Sequence, residues 1–147
     1  MIRVLELVAV MAASLFAGAA IYINVAEHPA RLLLDNAAAA RQWAPSYQRA
    51  TLMQAPLAIA SFLAGVAVGL AGGGVAWFVA AVLIGAVVPF TFIVIMPTNQ
   101  RLLSPTIDLA SAETRVLLVK WGKLHALRSA SSLAAAALYA YLIVWAP

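Results

Sequence analysis

The polar end of the first apolar segment carries side chains that are suited to acid–base chemistry. Asn24, Glu27 and His28 lie within five residues of one another, directly after a long apolar run. Because Asn24 and His28 are four residues apart, they share a face of a helix, with Glu27 beside them. An imidazole is a suitable general base near neutral pH, and a neighbouring carboxylate can orient it. Pro29 disfavours helical geometry at His28, which predicts that the helix ends or kinks there.

A second group of polar side chains follows a helical spacing in the last apolar segment. Trp121, His125, Arg128 and Ser132 are separated by four, three and four residues, so they form one stripe along a helix. Ionisable groups inside a membrane bundle are costly and usually mark a functional site. The middle segments add further polar side chains at the same predicted membrane face: Tyr47, Arg49, Gln54, Thr91 and Asn99.

These residues also have ordinary structural interpretations. Glu27 can pair with Arg31 or Arg128 at the membrane interface, where such pairs are worth about 0–1 kcal/mol. Trp121 can belong to an interfacial aromatic belt. Both histidines of the chain are predicted at one depth, however, which favours a shared site. Since Glu27 is the one carboxylate predicted near the depth of Arg128, we predict that these two side chains pair.

The composition indicates an integral membrane protein. Of the 147 residues, 65% are hydrophobic and 10% are charged, whereas a soluble domain has about 25% charged residues. We expect one domain over residues 1–147. The absence of cysteine excludes disulfides and thiolate metal sites. The sequence pI of about 10.0 comes from basic residues that lie between apolar runs, which indicates membrane orientation and anionic lipid rather than nucleic acid.

The hydropathy pattern predicts an all-α fold, a four-helix transmembrane bundle. The spans are predicted at 4–26, 48–71, 75–96 and 122–145, with a short interfacial helix at 30–43 in the first connection. Pro45 is predicted to start the second helix, and glycines 72–74 are predicted to form a hairpin turn. Ser111 is predicted to cap a long fourth helix that protrudes from the membrane. The first segment also resembles a signal peptide, but Glu6 interrupts its apolar region, which favours a retained helix.

The distribution of charge predicts the orientation in the membrane. Eight of the nine basic residues lie in or beside the first and third connections: Arg31, Arg41, Arg49, Arg101, Arg115, Lys120, Lys123 and Arg128. The positive-inside rule therefore places these connections in the cytoplasm and both termini outside. We expect a multi-pass protein of a bacterial inner membrane.

Six segments resemble, in order and spacing, the anthrone-oxygenase-like family of membrane proteins. They are residues 16–22, 27–31, 43–47, 89–91, 96–99 and 121–128, and together they extend over nearly the whole chain. The resemblance implies a small four-helix membrane protein. Some fungal and bacterial members of this family oxidise polyketide anthrones with no evident cofactor, so none is expected here.

For this chain the resemblance implies an oxygenase that acts on a small hydrophobic aromatic substrate. Removal of the acidic C–H proton of an anthrone requires a base, a partner for the enolate and a dry pocket. The catalytic candidates are His28 or His125 as the base, Glu27 to orient an imidazole, and Arg128 with Asn99 to stabilise the oxyanion. The substrate-binding candidates are Trp121 and Tyr22, which can stack on a flat ring, together with Asn24 and Thr91.

Two further hypotheses remain open from the sequence. The protein can be a non-enzymatic partner subunit or a small-molecule carrier, whose polar cluster only holds four helix ends together. It can also bind a metal or haem through His28 and His125 with Glu27, since two imidazoles and a carboxylate are a legitimate ligand set. The expected partners are the lipid bilayer and a small hydrophobic substrate, with no nucleic acid, and a homo-oligomer is left open.

Overall fold

The computed structural model describes residues 1–145, which form four long helices and contain no strand. We name them α1 (Ile2–Arg31), α2 (Asn36–Val68), α3 (Val75–Leu102) and α4 (Ala112–Trp145). Each helix is long and apolar enough to cross a membrane. The predicted all-α class and the four membrane-spanning helices are confirmed.

The four helices form a closed ring. α1 packs against α2 and α4, and α3 packs against the same two helices on the other side. The outer surface of the ring is apolar: Leu52 is 77% exposed and Ile93 is 74% exposed. Helices satisfy their own backbone hydrogen bonds, so a bundle with this surface is stable in lipid. The chain is therefore a multi-pass membrane protein whose outer surface contacts the bilayer.

The interior of the bundle consists of two different clusters. One is apolar and centres on Phe16, Val68 and Tyr139. The other, at the opposite end of the bundle, contains Trp43 and Trp121 and is surrounded by buried polar side chains.

Two helices, α1 and α3, continue through a proline near the end of the predicted membrane span. In α1 a π-helical turn, Ile23–Glu27, is followed by His28 and Pro29, and the helix extends to Arg31. In α3 a π-helical turn, Thr91–Ile95, precedes Met96 and Pro97, and the helix extends to Leu102. A wider turn before each proline makes room for its ring, so the backbone need not leave the helix. The predicted membrane spans 4–26 and 75–96 therefore lie within longer helices, and the backbone irregularity at Pro29 is a π-helical turn and not a helix end.

A separate interfacial helix at 30–43 is not confirmed. Its first residues close α1, a turn follows, and the rest belongs to α2, which begins at Asn36. Asp35 caps that helix by accepting a hydrogen bond from the Ala38 amide at 2.8 Å. Alanines follow the cap and favour an uninterrupted helix. Pro45 therefore lies inside α2 and does not start it.

The turn after α2 and the start of α4 are as predicted. Gly72 and Gly74 have φ angles of 97° and 90°, which side chains rarely allow, so glycine is required at both positions. Ser111 accepts a hydrogen bond from the Thr114 amide at 3.3 Å and so caps α4. That helix has 34 residues and is about 50 Å long.

One arginine fastens α4 to the first connection. Arg115 donates hydrogen bonds to the carbonyl oxygens of Leu32 and Leu34, at 2.8 and 2.7 Å, and to Oδ1 of Asn36 at 2.9 Å. These three acceptors span the turn between α1 and α2. The contact therefore sets the position of α4 relative to the polar end of α1.

We expect Arg115→Lys to lower the stability of the bundle by about 1–3 kcal/mol, because a lysine ammonium cannot reach three acceptors that match the guanidinium fork. Thermal or denaturant unfolding in detergent micelles measures this loss. Arg41→Lys, at an exposed position of α2, is the matched control and should be neutral. Equal stability of the two variants would contradict the proposed role of Arg115.

Candidate functional site

Asn24 connects α1 to α4 through three hydrogen bonds. Its amide nitrogen donates to the carbonyl oxygen of Gly122 at 3.0 Å, and its Oδ1 accepts from Ser129 Oγ at 2.6 Å. The same Oδ1 lies 2.7 Å from Nδ1 of His125. An amide oxygen can only accept, so this network places the hydrogen of His125 on Nδ1. In the neutral ring, Nε2 then carries the basic lone pair.

His28 adopts the opposite tautomer. Its Nδ1 lies 3.1 Å from Nη1 of Arg31, and because a guanidinium can only donate, this nitrogen accepts. The ring hydrogen is therefore on Nε2, which is buried beside the backbone of Leu118 and makes no hydrogen bond of ordinary geometry. The lone pair of His28 is thus engaged by Arg31, which makes His125 the better placed of the two candidate bases.

Trp121 lies between the two histidines. Its ring centroid is 5.2 Å from that of His28 and 4.8 Å from that of His125. Trp43 packs edge-on at 5.8 Å, and the guanidinium of Arg31 lies 5.9 Å from the indole centroid. Trp121 is only 4% exposed, so it is part of the interior and not of a lipid-facing belt.

Glu27 pairs with Arg31 and not with Arg128. Its carboxylate accepts hydrogen bonds from Arg31 and Ser46, and from Gln42 at 3.4 Å. The Arg31 side chain is 1% exposed and lies one helical turn after Glu27, within reach without any movement of α1. The predicted pair of Glu27 with Arg128 was therefore wrong, and the alternative pair with Arg31 forms.

Arg128 points into the bundle and has only neutral partners. Its Nη2 donates to Oε1 of Gln54 at 3.0 Å, and its guanidinium carbon lies 5.4 Å from the centre of the Phe16 ring. Its Nε is buried and has no hydrogen-bond partner. Within residues 1–145, no carboxylate lies within ion-pair distance of Arg128.

Arg128 lines three cavities. One, of about 140 Å³, lies between α3 and α4, and the other two meet beside the polar end of the bundle. The smaller of these two measures about 10 Å³ and is bounded by Trp121, His125, Gln54 and other residues of the polar end. The larger measures about 130 Å³ and has aromatic walls that include Phe16 and Phe92. The two cavities share three wall residues: Tyr47, Thr51 and Arg128. The candidate base and the unpaired cation thus line one small space, next to a larger apolar one.

The remaining predicted site residues lie at different distances from these cavities. Thr91 lines the larger one and donates a hydrogen bond to the Val87 carbonyl at 2.6 Å. Asn99 is fully buried, lines neither cavity, and has no hydrogen-bond partner at either side-chain atom. Tyr22 is 62% exposed, because its place two residues before Asn24 turns it to the outer face of α1. Tyr22 lines a separate open cleft of about 370 Å³, together with Glu27, Ser46 and Gln54.

Several residues of this region did not appear among the sequence-based candidates. Arg31 was predicted as one alternative partner of Glu27 but not as a site residue, yet it contacts both Glu27 and His28. Gln42 and Ser46 contact Glu27, and their spacing of four residues on α2 was a signal that the sequence offered.

The histidines do not form a recognisable metal centre. No group of three or more His, Asp or Glu side chains in the part of the chain that the structure describes could hold one ion. The indole of Trp121 contacts each histidine ring, and Nδ1 of each ring already faces Arg31 or Asn24.

Comparisons with known proteins identify the family of this chain. The model of the anthrone oxygenase family matches residues 43–138, which include Thr91, Asn99, Trp121, His125 and Arg128. Anthrone oxygenase tpcL of Aspergillus fumigatus is 44% identical over 61 residues, which are 40% of this chain and 38% of that protein. Anthrone oxygenase ptaC of Pestalotiopsis fici is 36% identical over 116 residues, which are 67% of this chain and 82% of that protein.

The chain belongs to the anthrone oxygenase family. The resemblance inferred from the six sequence segments is thereby confirmed. The matched part of the family model begins after Asn24, Glu27 and His28, so these three residues lie outside it. No solved structure matches the chain.

Gly122 provides a test of the packing around the histidines. A Cβ atom at this position would overlap Nε2 and Cδ2 of His28, so we expect Gly122→Ala to displace that ring from Trp121. The expected cost is about 1–3 kcal/mol, typical of overpacking. Unfolding in detergent measures the loss.

Gly18→Ala is the matched control, because no atom lies within 4 Å of a Cβ at that exposed position of α1. It should leave stability unchanged or raise it by up to about 1 kcal/mol. If Gly122→Ala behaved like the control, the close contact of His28 with α4 would be wrong.

Proposed function

We propose that this protein is an oxygenase for a flat, lipophilic aromatic ketone with an acidic C–H bond, the chemical class of the anthrones. The observation that carries the proposal is the pairing of two groups at one cavity: the free Nε2 lone pair of His125 and the unpaired charge of Arg128. The names of two relatives, both anthrone oxygenases, support the substrate class.

The first step is removal of a proton from the methylene carbon opposite the ketone. His125 Nε2 takes this proton while Asn24 holds the imidazole through Nδ1. The electron pair left on carbon spreads through the rings onto the ketone oxygen. Arg128 lies on the same face of α4, one turn further on, and its guanidinium stabilises that developing oxyanion.

Molecular oxygen then reacts with the electron-rich carbon. One oxygen atom bonds to the carbon, which gives a peroxide anion that takes the proton from the imidazolium of His125. The hydroperoxide loses the second C–H proton together with its outer oxygen as water. A methylene and O₂ thus become a carbonyl and water, and both electron pairs come from the substrate, so this balance needs no further reductant.

The apolar walls favour a lipophilic substrate that arrives from the bilayer. Pockets for ligands of this kind measure about 300–1,000 Å³, whereas the larger cavity here measures about 130 Å³. The small cavity adds only about 10 Å³, so joining the two cavities is not sufficient. Binding therefore also requires wall side chains such as Tyr47 and Thr51 to move outward. The closed arrangement would exclude water from the enolate.

A non-enzymatic carrier is the second candidate. It is favoured by the small volume of the cavity at His125. It is also favoured by the hydrogen bonds of Asn24 to Gly122 and of Arg31 to Glu27, which occupy these polar groups within the protein. In that case the polar cluster would hold helix ends together, and a lipophilic ligand would bind without reacting.

The variant His125→Asn separates the two candidates. An asparagine amide can occupy the place of Nδ1 and donate to Asn24, but it has no atom at the place of Nε2. We expect quinone formation from a model anthrone to fall by about 10²–10⁴-fold while unfolding in detergent stays close to wild type. Oxygen uptake and quinone absorbance of purified protein in nanodiscs measure the rate.

Lys123→Asn, at an exposed position two residues away, is the matched control and should keep full activity. Undiminished turnover by His125→Asn would rule out His125 as the base. A wild type that binds the anthrone but forms no quinone would favour the carrier.

We further propose that the first and third connections face the cytoplasm, because eight of the nine basic residues lie in or beside them. Reporter fusions after Gly73 and Pro105 test this orientation. Activity of an external reporter at Gly73 and of a cytoplasmic reporter at Pro105 is expected, and the reverse result at either position would contradict it.

A further inference from the structure

The interior of the bundle contains two arginines with opposite electrostatic surroundings. Arg31 donates to the carboxylate of Glu27, so its charge is compensated inside the protein. Arg128 donates to the amide of Gln54, and no carboxylate of residues 1–145 lies within ion-pair distance of it. A charge inside a membrane-spanning helix is costly, so an uncompensated one is a functional signal.

Gln54 determines that Arg128 stays uncompensated. It is 1% exposed, and its Oε1 accepts the hydrogen bond from Nη2 of Arg128 at 3.0 Å. Glutamate has the same shape, would accept the same hydrogen bond, and would neutralise the guanidinium. The chain therefore has a neutral side chain at the position where a carboxylate would form a buried ion pair.

The two side chains also leave buried donors without partners. Nε2 of Gln54 and Nε of Arg128 are both buried and make no hydrogen bond. Both residues line the small cavity beside His125, and Arg128 also lines the larger cavity with its aromatic walls. Buried donors usually have partners, so such a pair at a cavity points to an acceptor that a ligand supplies.

We infer that Gln54 and Arg128 form a binding site for the ionised oxygen of a flat, lipophilic phenol or enol. The inference rests on the proposed function, because the enolate of the ketone is one such anion, and it adds the selection of the ligand by charge. Gln54 is a positioning residue here: it holds the guanidinium by one hydrogen bond and leaves its charge for the ligand. The aromatic walls at Phe16 and Phe92 receive the rings.

The probe is a pair of molecules that do not react with oxygen: 2-hydroxyanthraquinone, studied at a pH where its phenol ionises, and 2-methoxyanthraquinone, which carries no charge. Absorbance titration in nanodiscs of neutral lipid gives both dissociation constants, and the colour of the phenolate shows the ionised form. We expect the wild type to bind the phenolate about tenfold or more tightly than the ether, as a charge-assisted hydrogen bond provides.

The decisive variant is Gln54→Glu. We expect it to fold with a stability equal to or above the wild type and to lose the preference for the phenolate. Gln48→Glu introduces the same change at an exposed position of the same helix and should retain the preference. A Gln54→Glu protein that still prefers the phenolate would overturn the inference.

Gln54→Leu separates charge from position. It removes the hydrogen bond to Arg128 but introduces no negative charge, so binding should weaken while the preference for the phenolate remains. If Gln54→Leu lost the preference as completely as Gln54→Glu, the role assigned to charge would be wrong. Should Gln54→Glu fail to fold, the inference requires that Gln54→Leu keeps the preference and that Arg128→Met abolishes it.

Binding of these probes does not depend on turnover. A protein that oxidises anthrones with unchanged preference in Gln54→Glu would retain the proposed function and lose this inference. A protein that forms no quinone but discriminates by charge as expected would retain the inference and lose the oxygenase function.

Discussion

The interior of a membrane bundle offers no water, so every polar group there depends on another part of the chain for its partner. At the polar end of this bundle, Asn24 joins α1 to α4, and Arg31 gathers Glu27 and His28 around itself. Arg128 alone among these central groups has a full charge and only a neutral partner. The chain compensates the charge of Arg31 and leaves the charge of Arg128, which points into the bundle, uncompensated at a cost. That asymmetry connects the fold to the proposed chemistry.

The backbone of α1 makes this arrangement geometrically available. The π-helical turn Ile23–Glu27 contains both Asn24 and Glu27, directly before His28 and Pro29. A π-helical turn contains one more residue than an α-helical turn, so side chains within and after it point in different directions than in a regular helix. Here Asn24 faces α4 and Glu27 faces α2. The opposing position on α4 is Gly122, which leaves space for the His28 ring. The tautomer of His125 therefore depends on the widened turn that contains Asn24. The position of His28 depends on the missing side chain at Gly122.

The fold was largely predictable from the sequence because length and apolar composition are sufficient to locate membrane-spanning helices. The ends of α1 and α3 could not be predicted in this way. Whether a helix continues through Pro29 or Pro97 depends on whether the preceding turn can widen. The candidate site divides in the same way. Spacing placed Trp121, His125 and Arg128 on one face of a helix, but depth in the membrane does not determine which way a carboxylate turns. Glu27 could reach Arg31 on its own helix, and that local contact displaced the predicted long-range pair.

The most direct test of this account is the absorption spectrum of a model anthrone bound to the wild-type protein in nanodiscs without oxygen. If His125 removes the proton and Arg128 holds the resulting anion, the bound molecule should show the spectrum of the enolate at a pH where the free anthrone remains neutral. Admission of oxygen should then convert that spectrum to the quinone. A bound anthrone that keeps its neutral spectrum, or a protein that binds no anthrone, would contradict the account.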